Sequence, residues 1–156
     1  MNEEATSSPA PATSTPLGAA TLSVQQHRFC LSTIRSLKKM KDAAAFLHPV
    51  DPVVLNIPHY PSIIKNPMDL GTIERKLTSS NPQKLDTNPN NPRYNNADEF
   101  IADVRLVFTN CLTFNGSDHV ISKAGKHLES VFDKQIKNLP PPQVVCECRW
   151  FSWNRC

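Results

Sequence analysis

The sequence predicts an all-α fold, a four-helix bundle in which a long proline-rich loop joins the first two helices. Apolar residues recur at spacings of three and four through three long segments and one short one. No stretch alternates apolar and polar residues convincingly enough to predict a strand. Prolines and polar turn residues separate the helical segments, and 156 residues suit one domain with a modest core.

The composition excludes several classes of protein. A net charge of +3 is too weak to predict nucleic-acid binding by itself. No run approaches the ~20 apolar residues that span a bilayer, and the N-terminus lacks the layout of a signal peptide. Five cysteines, an odd number, do not suggest a disulfide framework. We therefore expect an intracellular protein without membrane association, with Cys30 and Cys111 as buried thiols.

The N-terminal segment is predicted to be a disordered leader over residues 1–22, because it is rich in Ala, Thr, Ser and Pro and has no aromatic residue. A first helix is expected from Ser23 to Ala45. Its apolar face would comprise Cys30, Ile34, Leu37 and Lys41, widened by Phe29, Leu31 and Met40.

The segment after this helix is both rich in proline and very apolar, with the sequence FLHPVDPVVLNIPHYPSIIKNPMDL. Each proline removes a backbone donor and restricts the residue before it, so no long helix can form. Long irregular segments that keep large apolar residues are usually functional. We interpret this loop as the wall of a pocket, and the alternative is a loop that only caps the bundle.

A short second helix is expected next, with Asp69 near its start and Leu70, Ile73 and Leu77 on one side. The polar, turn-rich residues from Thr78 to Arg93 predict a flexible surface insertion away from the pocket.

The third and fourth helices are long. Asn96 and Glu99 resemble a capping box that opens the third helix, and Gly116 to Asp118 would end it. The fourth is expected from His119 to Asn138. The inward residues are Phe100, Val104, Val107, Cys111 and Phe114, with Ile101 and Phe108 beside them, and then Ile121, Ala124, Leu128, Val131, Phe132 and Ile136.

Residues 142–156 differ in character and are expected to form an unstructured tail. A zinc site is the alternative, but a Cys-Glu-Cys run lacks the usual two-residue gap and has no second pair at zinc spacing. We expect no metal and no cofactor. The residues concerned are Cys146, Cys148, Cys156, Trp150 and Trp153.

Asn115 lies between an apolar helical run and the Gly-Ser-Asp break. It could be a helix C-cap, because asparagine tolerates the left-handed conformation. Alternatively, its carboxamide N–H donates to a ligand carbonyl at the floor of an apolar cleft whose second wall is the proline-rich loop. Tyr60 would then offer a phenol to a water molecule or to the ligand.

The sequences FLHPVDPVVLNIPHYPSIIKNPMDLGTIERKL and DVRLVFTNCLTFN resemble a bromodomain, most of all the fungal members of the bromodomain and extra-terminal (BET) family. The resemblance covers roughly residues 24–141, and a bromodomain is expected over residues 23–141. It implies a left-handed four-helix bundle whose pocket binds acetylated lysine, chiefly on histone tails.

The resemblance also implies roles for individual residues. Asn115 would hydrogen-bond the acetyl carbonyl, and Tyr60 would reach that carbonyl through water. Phe46 matches the aromatic shelf and Ile121 the apolar gatekeeper. The loop wall would comprise Val50, Leu55 and Ile57, and the third-helix lining Cys111 and Phe114.

The chain departs from its animal relatives at several of these positions. Ala44 and Ala45 stand where those relatives often carry Trp-Pro, so a flatter and more open outer shelf is expected. Phe114 stands where many relatives have tyrosine. His119 resembles the second-type bromodomains of animal relatives.

Transfer energetics favour acetyl-lysine over lysine in such a pocket. An ammonium loses several kcal/mol of solvation in an apolar slot without a counter-ion, and the sequence indicates no acid to pair with it. Acetylation adds a methyl group worth about 0.8 kcal/mol and a hydrogen bond worth about 1 kcal/mol. We expect weak binding, roughly micromolar to millimolar.

The favoured hypothesis is therefore a non-catalytic nuclear module that binds acetylated H4 or H3 tails and regulates transcription.

 We also expect this module to be a monomer. The alternative is a helical DNA- or protein-interaction domain that uses the basic first helix. That helix carries Arg35, Lys38, Lys39 and Lys41, which are most simply a solvated face, with a phosphate-binding patch or a nuclear signal as the other interpretations.

An enzyme is the third hypothesis, and the sequence argues against it. No nucleophile and base have an identifiable set of partners, and neither a phosphate-binding loop nor metal-ligand spacing is present. His48, His59 and Tyr60 lie close together in sequence, but loop residues with ordinary hydrogen bonds explain them better.

Overall fold

The computed structural model of the chain describes residues 22–84 and 86–142. These residues form helices and no strand, so the predicted all-α fold is confirmed. None of the described helices has the length and apolar character needed to cross a membrane. The elements, in chain order, are α1 (Val24–Lys38), a 3-10 helix (Lys41–Phe46), α2 (Tyr60–Ile63), α3 (Leu70–Thr78), α4 (Ala97–Asn115) and α5 (Val120–Ile136).

Helix α1 is shorter than the sequence predicts. It begins with a capping box, in which the Ser23 hydroxyl accepts from the Gln26 backbone N–H. It ends at Lys38, because Met40 is extended at φ −76° and ψ 146°. The predicted place of Lys41 on the apolar face is therefore wrong. The break turns Lys41 outward and turns Ala43 and Phe46 into the core.

The core lies between α1, α3, α4 and α5 and includes residues from both ends of the described region. Leu22 is buried in it, so this residue belongs to the folded unit and not to the predicted leader. Residues 1–21 and 143–156 lie outside the described residues, as does the predicted cysteine-rich tail. The most deeply buried side chains are Leu22, Cys30, Ile34, Leu37, Leu70, Ile73, Leu77, Phe100, Val104, Leu128 and Phe132.

Both described cysteines are free and buried, as predicted. Burial raises the pKa of Cys30 to about 12, because the thiolate would lose its hydration there. Cys30 is therefore a packing residue and not a nucleophile.

Helix α3 approaches the loop backbone very closely. Its N-cap Asp69 accepts from the Thr72 backbone N–H at 2.9 Å and from the Thr72 hydroxyl at 2.6 Å. A Cβ atom on Gly71 would lie 2.5 Å from the Leu47 carbonyl oxygen. Only glycine allows this approach, which fixes α3 against the segment that follows Phe46.

The insertion before α4 is anchored at its ends, although most of its residues are exposed. The Tyr94 backbone N–H donates to the Ser80 hydroxyl at 2.7 Å, and the Tyr94 hydroxyl donates to Asp103 at 2.7 Å. Lys76 also pairs with Asp103, at 2.6 Å. These bonds fasten the insertion to α3 and α4, and its predicted flexibility stays a prediction.

The start of α4 follows only half of the predicted capping box. The Asn96 side chain accepts from the Glu99 backbone N–H at 3.0 Å. The Glu99 carboxylate accepts from the backbone N–H of Asn95, at 2.7 Å, and not from that of Asn96. The reciprocal bond therefore comes from the residue before the N-cap, while the Asn96 side chain still caps the helix.

Candidate functional site

A cavity of about 610 Å³ opens at the end of the bundle where α4 ends and α5 begins. Its other wall is the connection between the 3-10 helix and α3. The structure brings all the predicted binding residues to this one cavity, while their roles in binding stay predictions. They are Phe46, Val50, Leu55, Ile57, Tyr60, Cys111, Phe114, Asn115 and Ile121.

Asn115 is the last residue of α4 and is half-buried. It does not adopt the left-handed conformation that the C-cap interpretation required, because Gly116 takes the positive φ of 81°. Its Nδ2 donates to the Cys111 carbonyl oxygen at 3.1 Å. A carboxamide nitrogen carries two N–H groups. One of them fixes the side chain. Nδ2 also lies 3.6 Å from the Cys111 Sγ, a weak acceptor, so a ligand carbonyl is the stronger partner for the second N–H.

Tyr60 is buried and lines the same cavity as Asn115. Its ring packs edge-to-face on Phe114, with 4.9 Å between the ring centroids. Burial, with a smaller contribution from Cys111, raises the pKa of the Tyr60 hydroxyl above its ordinary value. Tyr60 therefore keeps its proton at neutral pH and can donate a hydrogen bond.

His59 extends the aromatic wall that Tyr60 and Phe114 form. Its ring stacks on Phe114 with centroids 5.3 Å apart. Phe114 thus contacts two other rings and, lacking a hydroxyl, adds no polar group of its own to the cavity.

Phe46 lines the cavity from the end of the 3-10 helix. Its ring packs edge-on against Phe108, with the centroids 6.1 Å apart. A Cβ atom on Gly125 would lie 3.3 Å from Cζ of Phe46. The absence of a side chain at Gly125 thus lets α5 pack against the Phe46 ring, a dependence that the local sequence does not reveal.

The loop wall is shaped by hydrogen bonds that begin at Asp51. Its Oδ1 accepts from the backbone N–H groups of Val53 at 2.9 Å and Val54 at 3.2 Å. Its carbonyl oxygen accepts from the Leu55 N–H at 3.0 Å. Asn56 then takes a positive φ of 57°. This tight turn brings Leu55 to the mouth of the cavity, where the side chain is 58% exposed.

Two acidic residues that were not among the predicted binding residues lie in the lining, although the sequence indicated no acid placed to pair with an ammonium. Asp51 and Asp69 both line the cavity. Both Asp69 oxygens are engaged by Thr72, and one Asp51 oxygen is engaged by the loop backbone. Neither could be assigned from sequence, because their place in the cavity lining depends on tertiary packing.

The remaining lining residues come from the same elements. His119 caps α5, and its Nδ1 accepts from the Ile121 backbone N–H at 3.1 Å. Residues 22–84 and 86–142 contain no group of three or more His, Cys, Asp or Glu side chains arranged to hold a metal. The lining residues that were not among the predicted binding residues are Ala44, Ala45, His48, Pro49, Asp51, Val54, Met68, Asp69, Val107, Asn110 and His119.

Comparison with known proteins links this cavity to one family. The family model described as Bromodomain matches residues 30–127. The chain is 46% identical over 115 residues to the SWR1 complex bromodomain subunit bdf1 of Schizosaccharomyces pombe, a match that covers 74% of this chain and 18% of that protein. It is 36% identical over 131 residues to Bromodomain-containing factor 2 of Saccharomyces cerevisiae, covering 84% of this chain and 19% of that protein.

A solved structure is similar as well. It is the second bromodomain of Candida albicans Bdf1 bound to an imidazopyridine, with 44% sequence identity and a TM-score of 0.62. The match covers 73% of this chain and 99% of that structure. The match thus extends over nearly all of that solved structure, but the chain spans less than a fifth of the length of the two curated relatives.

Proposed function

The chain belongs to the bromodomain family, with fungal BET-type relatives, and we propose that its cavity binds acetylated lysine side chains, chiefly those of histone tails. The observation that carries this proposal is the half-buried carboxamide of Asn115. It lies in a mostly apolar cavity and has one N–H held by the Cys111 carbonyl oxygen. A neutral ligand carbonyl is the acceptor that suits the other N–H.

In this proposal the acetyl-lysine enters between the loop wall and α5. Its carbonyl oxygen accepts from Asn115 Nδ2, and the Tyr60 hydroxyl donates to the same oxygen through a water molecule. The acetyl methyl group and the lysine methylenes contact Phe46, Val50 and Ile121, which line the cavity.

Selectivity over unmodified lysine arises from desolvation. An ammonium beside Asn115 would lose its hydration next to the Cys111 and Phe114 side chains. The nearby carboxylate of Asp69 has both of its oxygens occupied by Thr72. Because acetylation gains only about 0.8 kcal/mol from the methyl group and about 1 kcal/mol from the hydrogen bond, affinity in the micromolar to millimolar range is expected.

The test is a calorimetric titration of the protein with acetylated and unmodified histone H4 and H3 tail peptides. We expect binding of acetylated peptides only. Asn115→Ala should weaken it about tenfold or more, since a buried acetyl carbonyl would lose its donor. Asn138→Ala, at an exposed asparagine beyond α5, is the control and should bind like the unchanged protein. Equal binding by the Asn115→Ala variant would refute the proposal.

The wider proposal is a non-catalytic, nuclear role in chromatin. The names of the relatives support it, since one is a subunit of the SWR1 complex and another, from Arabidopsis thaliana, is Transcription factor GTE11. Turnover of an acetylated peptide by the purified protein would contradict the non-catalytic part.

The alternative use of the basic first helix has less support. Arg35 and Lys38 both pair with Glu74 of α3, at 2.9 and 2.6 Å, so their charges are partly neutralised. Lys39 and Lys41 are exposed. A weak DNA contact through these side chains would show itself as duplex binding that falls steeply with salt.

A further inference from the structure

The charge at the mouth of the cavity is opposite in sign to the net charge of the chain. The chain carries a net charge of +3. Among the described residues that line the cavity, however, Asp51 and Asp69 are the charged side chains, and neither lysine nor arginine is present. Asp69 is buried with both oxygens bonded, so Asp51 is the acidic group that faces solvent.

Asp51 has acceptor capacity to spare. Both of its side-chain bonds within the described residues, from the Val53 and Val54 N–H groups, end on Oδ1. Oδ2 has no partner among these residues. A carboxylate has about four acceptor sites and binds cations such as guanidinium readily.

An apolar ledge adjoins this carboxylate. Val53, Val54 and Leu55 are 86%, 77% and 58% exposed, and Val54 and Leu55 line the cavity. Three consecutive exposed aliphatic residues are uncommon on a protein surface that has nothing to bind. The turn that begins at Asp51 holds them in place.

A carboxylate beside an aliphatic ledge suits a long cationic side chain. The methylenes of arginine or lysine cover apolar surface while the charged head stays at a polar group. A purely apolar occupant would cover Asp51 without pairing it, which is unfavourable. An acidic occupant would be repelled.

We propose that Asp51 is a specificity-determining residue that selects acetyl-lysine flanked by arginine or lysine in the same peptide. The proposal rests on the function proposed above, because the acetyl group at Asn115 brings the neighbouring side chain to the rim. The stem of that side chain lies on Val54 and Leu55, and its cation pairs with the carboxylate of Asp51.

The experiment uses short peptides with one acetyl-lysine in a Gly/Ser background. Arginine, or its neutral isostere citrulline, is placed in turn at each of the three positions on either side. We expect arginine to bind about three- to fivefold more tightly than citrulline at one position or more, the range of an exposed ion pair. This preference should diminish as salt is raised.

Asp51→Asn is the informative variant, because asparagine keeps an Oδ1 acceptor for the Val53 and Val54 N–H groups. It should reduce the arginine-to-citrulline ratio to about one and leave citrulline peptides bound as before. Asp98→Asn, at an exposed aspartate in the first turn of α4, is the matched control and should keep the preference.

Two results overturn the proposal and are distinguishable. If acetylated peptides bind and require Asn115, but arginine gives no advantage at any position or the advantage survives Asp51→Asn, then only the role of Asp51 fails. If no acetylated peptide binds, the proposed function fails and the role of Asp51 fails with it.

Discussion

Individual side chains in the cavity are oriented by bonds within the protein before any ligand arrives. Asn115 is held by the Cys111 carbonyl oxygen and Tyr60 by the Phe114 ring. A group that is already oriented loses less conformational entropy on binding, so a weak ligand contact retains more of its free energy.

Tyr60→Phe tests the contribution of the hydroxyl alone. The ring contact with Phe114 persists in this variant, and only the O–H is lost. We expect acetylated peptides to bind about fivefold more weakly, the equivalent of one net hydrogen bond. Isothermal titration calorimetry measures the affinity of each variant for acetylated peptides. Tyr94→Phe is the control; its hydroxyl bonds Asp103 away from the cavity, so affinity should not change while the free energy of unfolding falls.

The raised pKa of Tyr60 adds a condition to that result. Because the neutral phenol is the donor and its pKa lies above the ordinary value, the hydroxyl keeps its proton throughout pH 7–9. The ratio of the peptide affinity of the unchanged protein to that of the Tyr60→Phe variant should therefore stay constant over this range. A ratio that decreases toward pH 9 would contradict the assignment of Tyr60 as a neutral donor.

The helices and loops around the cavity depend on close backbone contacts at glycine. Gly71→Ala would place a Cβ atom 2.5 Å from the Leu47 carbonyl oxygen. A backbone atom cannot rotate away, so α3 must shift. We expect a decrease of about 1–3 kcal/mol in the free energy of unfolding, the usual effect of overpacking, measured by urea denaturation.

Gly125→Ala is the matched comparison. The added Cβ atom would lie 3.3 Å from the far end of the Phe46 side chain, which can adjust. Its effect on stability should be smaller than that of Gly71→Ala, because alanine also favours the helix. Peptide affinity should fall as Phe46 moves. Equal stability losses in the two variants would contradict this account.

Local sequence patterns predicted where the helices form, but they did not predict where tertiary packing ends a helix. The spacing of Leu70, Ile73 and Leu77 is sufficient to predict α3, because helical periodicity is a local property. The end of α1 is different. Met40 becomes extended so that Ala43 and Phe46 can pack inward, and that advantage exists only once the bundle has formed.

The cavity lining likewise contains residues that the sequence predicted and residues that it did not. Asn115 and Tyr60 were predicted at the cavity from the sequence around them as well as from the family resemblance, and both line it. Asp51 was not expected at the cavity, since its place depends on the turn that ends at Asn56 and on how the whole loop folds against α4. Contacts between segments distant in sequence leave no signal in a single chain.

At the scale of the whole molecule, the cavity and the ion pairs of Glu74 lie in different regions. The cavity lies at the junction of α4 and α5, whereas Glu74 joins α3 to α1 through Arg35 and Lys38. None of these three residues lines the cavity. Stability can therefore be altered at Glu74 without changing the proposed binding residues.

Acid sensitivity of folding tests the contact at Glu74. The hydrogen bond from Lys38, and then that from Arg35, lowers the pKa of Glu74 below its ordinary value of 4.5. The unfolded chain thus binds a proton at a higher pH than the folded protein does. The stabilisation is present above pH 4.5 and is lost as the pH falls through the lower folded pKa. Glu74→Gln should therefore be less stable than the unchanged protein at pH 6, and the difference should shrink at pH 3.

Two lysine variants separate the hydrogen bond from the general effect of charge. Lys38→Gln removes the largest cause of the lowered pKa, so it should reduce the pH dependence that Glu74 contributes. Lys39→Gln removes the same charge at an adjacent, exposed position and should leave that dependence intact. Urea unfolding at pH 3 and pH 6 measures both. Lys38, unlike Lys39, contacts the carboxylate. Identical behaviour of the two variants would therefore mean that surface charge, and not the bond from Lys38 to Glu74, sets the acid response.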